Sequence, residues 1–139
     1  MALISPLNKL KIPIVGSPLF LISNPDLVLA QCLNGVMGSF PALNAREEDG
    51  EPNMLEIWLK TITEGIDSYN QRNPDNPAAP YAVNHIVHKS NLRLEKDIDI
   101  CAKWKVPVWI TSLGARPEVN HVAHEAKGIV LHDVINNFF

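Results

Sequence analysis

The sequence has few of the features that mark secreted, membrane-spanning or nucleic-acid-binding proteins. Its 12 Lys and Arg residues are scattered and its net charge is −3, so no nucleic-acid partner is expected. No apolar run approaches the roughly 18 residues that cross a bilayer. The first charged residues, Lys9 and Lys11, follow the early apolar residues, and no cleavage site comes after them, which argues against a signal peptide. These absences predict a cytoplasmic protein without a membrane partner.

Cysteine is also scarce, because the chain has only two, Cys32 and Cys101. Both lie within apolar helical patterns, which predicts buried free thiols and not a disulfide. A chain of 139 residues can bury a core of its own, so residues 1–139 are expected to form a single domain.

What the sequence does contain is a repeated alternation of short apolar runs and amphipathic segments. Two helix starts are predicted. Asn24 is followed directly by Pro25, and Asn53 is followed three residues later by Glu56. The charged stretch 44–50 is expected to be a solvated loop. The pattern predicts helices between five strands, which lie near residues 12–15, 36–40, 81–87, 107–111 and 129–133.

Strands this apolar are covered on both faces, so the order of elements predicts an α/β fold with a parallel sheet and helical crossovers. Two architectures fit this order: an open doubly wound sheet, and part of a closed eight-stranded β/α barrel. Both place functional groups at the carboxyl ends of the strands.

Small or polar residues recur at that end of all five predicted strands. They are Gly16-Ser17-Pro18, Gly38-Ser39, Asn84 with His88, Thr111-Ser112, and His132-Asp133. Their repetition predicts a rim that holds a ligand. The alternative is that the strands simply end in turns, which favour Gly, Ser and Asn in any protein.

Asn84 is the most informative single residue. It lies in the middle of a predicted strand, where alternation places it on one face with Ala82 and Ile86 and places His85 on the other. A carboxamide has both a donor and an acceptor, so it can bind the edge of a heteroaromatic ring. The alternative is a structural amide that bonds neighbouring backbone.

Five segments, taken in order, resemble the nitronate monooxygenase family, formerly called the 2-nitropropane dioxygenases. They are PIVGSPLFLISNPDLVLA, NGVMGSF, YAVNHIVHKSN, VPVWITSLGARPEV and GIVLHDVINN, and together they span nearly the whole chain. Members of this family are FMN enzymes built on a TIM-type (β/α)8 barrel. The resemblance therefore implies the N-terminal portion of such a barrel, about five of its units, with the C-terminal units absent.

The resemblance also implies positions for the cofactor. In the family, backbone after the first strand contacts the flavin ring, and this backbone corresponds to Ser17, Pro18 and Leu19, with Leu19 in place of the usual methionine. The family's flavin-binding asparagine corresponds to Asn84, and Gly16 is expected to admit close approach of the ring. Further candidate pocket residues are Ser39, His88, Thr111, Ser112, His132 and Asp133.

The reaction that the resemblance implies is oxidation of an alkyl nitronate by O2 to a carbonyl compound and nitrite. Two alternatives stay open: an FMN-dependent enoyl-thioester reductase, and a non-catalytic fragment of such a barrel. The family's catalytic histidine is expected beyond the end of this chain, so no catalytic residue is assigned and the chain alone is expected to be inactive.

Two further expectations concern metals and assembly. His121 and His124 are three residues apart on one predicted helix, but no third ligand is evident, so no metal site is predicted. A partial barrel would leave sheet edges and apolar side chains uncovered, which predicts self-association and makes a homo-oligomer a candidate state.

Overall fold

The computed structural model describes residues 4–47 and 53–134, in which strands and helices alternate. In chain order they are α1 (Pro25–Leu33), β1 (Gly38–Pro41), α2 (Met54–Arg72), β2 (Tyr81–Ile86), α3 (Leu94–Lys103), β3 (Val108–Ser112), α4 (Pro117–Glu125) and β4 (Ile129–His132). Two short 3₁₀ turns, Leu7–Lys9 and Ala42–Asn44, precede α1 and follow β1.

Both predicted helix starts are confirmed. The Asn24 side chain accepts a hydrogen bond from the Leu27 N–H at 2.9 Å, and the Asn53 side chain accepts from the N–H groups of Leu55 and Glu56. Such caps satisfy donors that a helix start leaves without partners. None of the helices in the described ranges is both long and apolar enough to cross a membrane.

The four strands form one parallel sheet in the order β1-β2-β3-β4. Pro41 lies beside Asn84, Asn84 beside Ile110, and Ile110 beside Leu131, so one continuous row crosses the sheet. Parallel strands in sequential order, joined by helices, are the arrangement found in a TIM-type barrel. All carboxyl ends therefore meet at one edge.

The predicted first strand, residues 12–15, is not formed. Only Val15 pairs, as an isolated parallel bridge to Met37, and Ile12, Ile14 and Val15 are 41–51% exposed. Pro13 has no N–H to donate, and the N–H of Ile14 donates to the Ile12 carbonyl within the same segment at 2.7 Å. The bridge is held by the Met37 N–H, which donates to the Ile14 carbonyl at 3.2 Å, and by the Gly16 N–H, which donates to the Met37 carbonyl at 2.7 Å. Because pairing does not extend beyond this bridge, the sheet in the described residues has four strands and not five.

The sheet separates two apolar clusters. The larger one lies between the sheet and the helices and includes Phe40, Val83, Trp109 and both cysteines, which are buried and free as predicted. The smaller one lies on the opposite, inner face, where Met37, Ala82, Val108 and Ile110 pack against the N-terminal Leu7 and Leu10. In a barrel this inner face would line the interior.

Candidate functional site

A cleft of about 490 Å³ opens on the inner face at the carboxyl ends of β2 and β3. Its walls are formed by Ser17, Pro18, Asn84, Ile86, Ile110, Ser112, Leu113 and Asp133. The sequence singled out five of these as site residues: Ser17, Pro18, Asn84, Ser112 and Asp133. The structure thus brings together residues from the segment before α1, from two strands and from the end of β4.

Asn84 is fixed in the wall of the cleft by two hydrogen bonds. Its Nδ2 donates to the Ile110 carbonyl at 3.2 Å and to Ser112 Oγ at 2.8 Å, and the residue is 4% exposed. Because a carbonyl can only accept, the bond to Ile110 identifies the nitrogen end of the amide. Among the described residues no donor reaches Asn84 Oδ1, so this acceptor remains available to a ligand.

Leu19 is not part of the cleft, although the sequence grouped it with Ser17 and Pro18. Its N–H donates to Ser23 Oγ at 2.9 Å, and its carbonyl accepts from the Asn44 side chain at 2.9 Å. Both backbone groups are therefore used inside the loop and cannot bond a ring. Within the described part of the chain, neither the N–H nor the hydroxyl of Ser17 has an acceptor, so Ser17 holds the donors that this wall can offer.

At Gly16, a Cβ would meet the flexible end of a side chain. A Cβ at this position would lie 2.4 Å from Nε2 and 2.7 Å from Oε1 of Gln31, which reaches across from α1. The space beside Gly16 is therefore filled by a side chain of the same molecule. The predicted approach of a ring to the Gly16 backbone stays a prediction.

Thr111 and His132 lie on the opposite face of the sheet from the cleft. They share a hydrogen bond of 2.6 Å between Thr111 Oγ1 and His132 Nδ1, and His132 Nε2 lies 3.4 Å from Asn120 Nδ2 on α4. Successive side chains of a strand point to opposite faces. Since Ser112 and Asp133 point into the cleft, their neighbours Thr111 and His132 point towards the helices and not into the predicted pocket.

Ser39 and His88 also stay outside the cleft. Ser39 is fully buried, pairs with Ala82 one layer below Asn84, and donates its hydroxyl to the Gly16 carbonyl. His88 lies in the exposed loop after β2, where its Nδ1 is 2.8 Å from the hydroxyl of Ser90. Ser39 therefore supports the loop that begins at Gly16, and His88 belongs to the protein surface.

Asn44 supports a loop beside the cleft, and the sequence did not indicate this role, because Asn44 opens the charged stretch expected to be solvated. It is 8% exposed, and its amide binds the carbonyls of Leu19 and Ser23 and the N–H of Leu21. The following Arg46 and Glu47 are exposed as predicted, while residues 48–50 of that stretch lie outside the described residues. Asn44 thus fixes the loop after Pro18.

Replacing Asn44 by alanine should destabilise the protein by about 2 kcal/mol, because three backbone groups of the loop lose their partner. The loss should appear as a lower urea midpoint and as faster amide exchange at Leu21. Asn34→Ala is the control, since Asn34 is exposed and makes one bond within α1. Equal effects of the two variants would contradict the assigned role.

Asp133 is the charged residue of the cleft among the described residues that line it. Its backbone N–H donates to the Thr111 carbonyl at 2.9 Å, which extends the β3–β4 pairing by one residue. A carboxylate at this position favours ligand groups that are cationic or that donate hydrogen bonds, and it disfavours anions.

Comparison with known proteins gives a fold but no family. No family model matches the sequence, and no curated protein does so. Among solved structures, FabK from Thermotoga maritima and a point mutant of it superpose with TM-scores of 0.68 and 0.70 at 18% identity. The likeness shows the fold.

These superpositions cover 88% and 91% of this chain but only 34% and 37% of the two FabK chains. The chain thus spans about a third of the length of those structures. Together with the parallel sheet, the match confirms the predicted β/α units of a TIM-type barrel and sets aside the open doubly wound alternative.

Proposed function

We propose that the cleft binds the ring of FMN and that the chain is the flavin-binding part of an oxidoreductase that converts alkyl nitronates and O2 to carbonyl compounds and nitrite. The observation that carries this proposal is the orientation of Asn84, whose amide nitrogen is held by Ile110 and Ser112 while its oxygen stays open in the cleft.

The residues of the cleft fit a planar heteroaromatic ring. Asn84 Oδ1 can accept from a ring N–H, and the Ser17 N–H can donate to a ring carbonyl or nitrogen. Pro18, Ile86 and Ile110 offer apolar surface for the faces of a ring. A cleft of about 490 Å³ also falls within the range of roughly 300–1,000 Å³ that is usual for small-molecule sites.

In this proposal the chain orients the cofactor and shields it from water. FMN, when bound, supplies the electron-transfer chemistry. Asn84 fixes the direction in which the ring lies, and the apolar walls exclude water from its faces. No histidine lines the cleft in the part of the chain that the structure describes, so the proposed role is cofactor binding and not proton transfer.

The runner-up, an FMN-dependent enoyl-thioester reductase, is equally consistent with the fold. Asp133 is the observation that favours it, because its carboxylate would repel an anionic nitronate but not a neutral enoyl thioester. Because the chain alone is expected to be inactive, the activity assays use a complete barrel that contains it. There, nitrite release in air without a pyridine nucleotide would favour the monooxygenase. Anaerobic bleaching of bound flavin by a reduced pyridine nucleotide would favour the reductase.

Replacing Asn84 by leucine should weaken FMN binding by about 10-fold, the size expected when one buried hydrogen bond is lost. The dissociation constant is measured by quenching of FMN fluorescence on titration with the protein. The change also removes the partner of Ser112, so the thermal midpoint without FMN is recorded for each variant to show that it is folded.

Asn91→Leu is the matched control, because its amide bonds the Ile86 carbonyl but does not line the cleft. FMN affinity should be unchanged in this variant. Absence of saturable quenching by the unmodified chain, or a folded Asn84→Leu variant with unchanged affinity, would refute the proposed cofactor site.

A further inference from the structure

Two leucines of the loops near the cleft have a backbone conformation that leucine rarely adopts. Leu21 has a φ of 64° and Leu113 a φ of 62°. The other positive-φ residues apart from glycine, Lys105 and Lys127, come just after α3 and α4, where left-handed residues commonly end a helix. Leu21 and Leu113 do not end helices, so their conformation needs another explanation.

Leu113 places an apolar side chain at the mouth of the cleft. It lines the cleft, is 70% exposed, and is followed by Gly114 with a φ of 130°. Asparagine or glycine would adopt this conformation more easily than leucine does. Strained residues are often found at functional sites, and Leu113 combines strain with a large apolar side chain exposed at a cleft.

The segment that follows two other lining residues, Ser17 and Pro18, forms a second apolar surface. After Ser17 and Pro18 come Leu19, Phe20, Leu21 and Ile22, which are 43%, 64%, 63% and 63% exposed. Consecutive exposed apolar side chains are unusual on a protein surface unless they bind something. Their backbone is not loose, because Asn44 and Ser23 hold it by the hydrogen bonds described above.

We propose that Leu113 and the loop 19–22 form an apolar rim that binds the hydrocarbon chain of the substrate. The cleft would hold the reacting group, and the rim would select substrates with an unbranched chain of several carbons over short ones. This inference rests on the proposed function in one respect, namely that the substrate reacts in this cleft.

The test is a series of ligands that differ only in chain length. Affinities of nitroethane, 1-nitrobutane and 1-nitrohexane are measured by saturation-transfer NMR, with and without FMN. Each added methylene should tighten binding by about 2- to 4-fold if the rim buries it. In Leu113→Asn this gain should be much smaller, while the thermal midpoint should stay level or rise, because asparagine accepts the left-handed backbone.

Lys127→Asn is the matched control, since it also places asparagine at a positive φ but lies at the end of α4 and outside the cleft lining. It should leave the gain per methylene unchanged. A chain-length effect that is lost in Leu113→Asn and kept in Lys127→Asn supports the rim.

The same series with 1-alkanols separates this inference from the proposed function. If alkanols show the gain but FMN does not bind, the rim stands and the cofactor proposal fails. If FMN binds but affinity is independent of chain length, the rim is refuted and the cofactor proposal stands. If Leu113→Asn only reduces self-association in sedimentation velocity, the rim is likewise refuted and the surface is a contact with a second copy.

Discussion

Replacing Gly38 by alanine should lower the free energy of unfolding by about 3 kcal/mol, the upper end of the usual cost of overpacking. A Cβ at Gly38 would lie 2.5 Å from the Val28 carbonyl oxygen and 2.9 Å from its Cα. These atoms are backbone in the middle of α1, so they cannot swing aside as a side chain could. To make room, the whole helix would have to move away from β1.

Gly65→Ala is the matched control for this variant. The nearest atoms to a Cβ there would be the two methyl groups of Leu29, at 2.7 Å and 3.0 Å, and these are the ends of a flexible side chain. Alanine also favours a helix over glycine by roughly 1 kcal/mol, which offsets the crowding inside α2. Urea unfolding should therefore show a large loss for Gly38→Ala and little change for Gly65→Ala. Similar losses in both would contradict the assigned contact.

Gly38 illustrates what local sequence patterns can and cannot predict. The sequence assigns Gly38 only to the end of a strand. Its structural role comes from α1, which packs against β1 at this glycine. Gly16 is a milder case, because the group that a Cβ would meet there is the flexible end of Gln31 on α1. At both positions, the effect of adding a Cβ depends on a contact with a different element. The spacing of residues along the sequence does not predict such contacts.

The inner-face position of Asn84 was predictable because a strand's side chains alternate strictly. The same rule could have excluded Thr111 and His132 once Ser112 and Asp133 were assigned to the site. It could also have added Ile86, which shares the face of Asn84. The positive φ of Leu113 could not be predicted from the sequence, because leucine is not among the residues typical of such turns.

The failed strand at residues 12–15 shows a limit of composition. Its apolar run is typical of a buried strand, but the Ile14 N–H, which would face β1, donates to the Ile12 carbonyl, and pairing stops at the single bridge from Val15 to Met37. Hydrophobicity predicts that a segment will be buried, whereas hydrogen-bond supply decides whether it can join a sheet. In residues 12–15 the available hydrogen bonds make one bridge and no further pairing.

Acid should destabilise the protein through His85, the one fully buried histidine in the described ranges. His85 is 1% exposed, stacks on Trp109 with ring centroids 5.0 Å apart, and neither ring nitrogen has a partner among the described residues. Loss of water lowers the pKa of His85 to about 4. The neutral ring is therefore the form that the folded state accepts.

The direction of the pH effect follows from these pKa values. An unfolded histidine titrates near pH 6.5, so between pH 6.5 and about 4 the unfolded chain binds this proton and the folded chain does not. The contribution of His85 to the free energy of unfolding is fully present above pH 6.5. It declines as the pH falls from 6.5 and is lost once the pH has fallen through about 4. The loss between pH 7 and pH 4 should be about 3 kcal/mol.

Asp97 acts in the opposite direction and has to be separated from His85. Burial raises the pKa of Asp97, and Arg93 at 3.0 Å opposes this shift only in part. A carboxyl with a raised pKa is protonated in the folded chain first, so acid relieves an unfavourable buried charge. A pH profile of the unmodified protein alone would therefore mix two opposing contributions.

The difference between the protein and His85→Leu isolates the histidine, because Asp97 is the same in both. Leucine has a similar volume and no proton to gain, so the variant should lose about 3 kcal/mol less on going from pH 7 to pH 4. Urea unfolding at both pH values measures this difference. His124→Gln, at an exposed position of α4, should keep the profile of the unmodified protein. If His85→Leu is as acid-sensitive as the unmodified chain, protonation of His85 does not drive the transition, and the unpaired imidazole must be reached by water in solution.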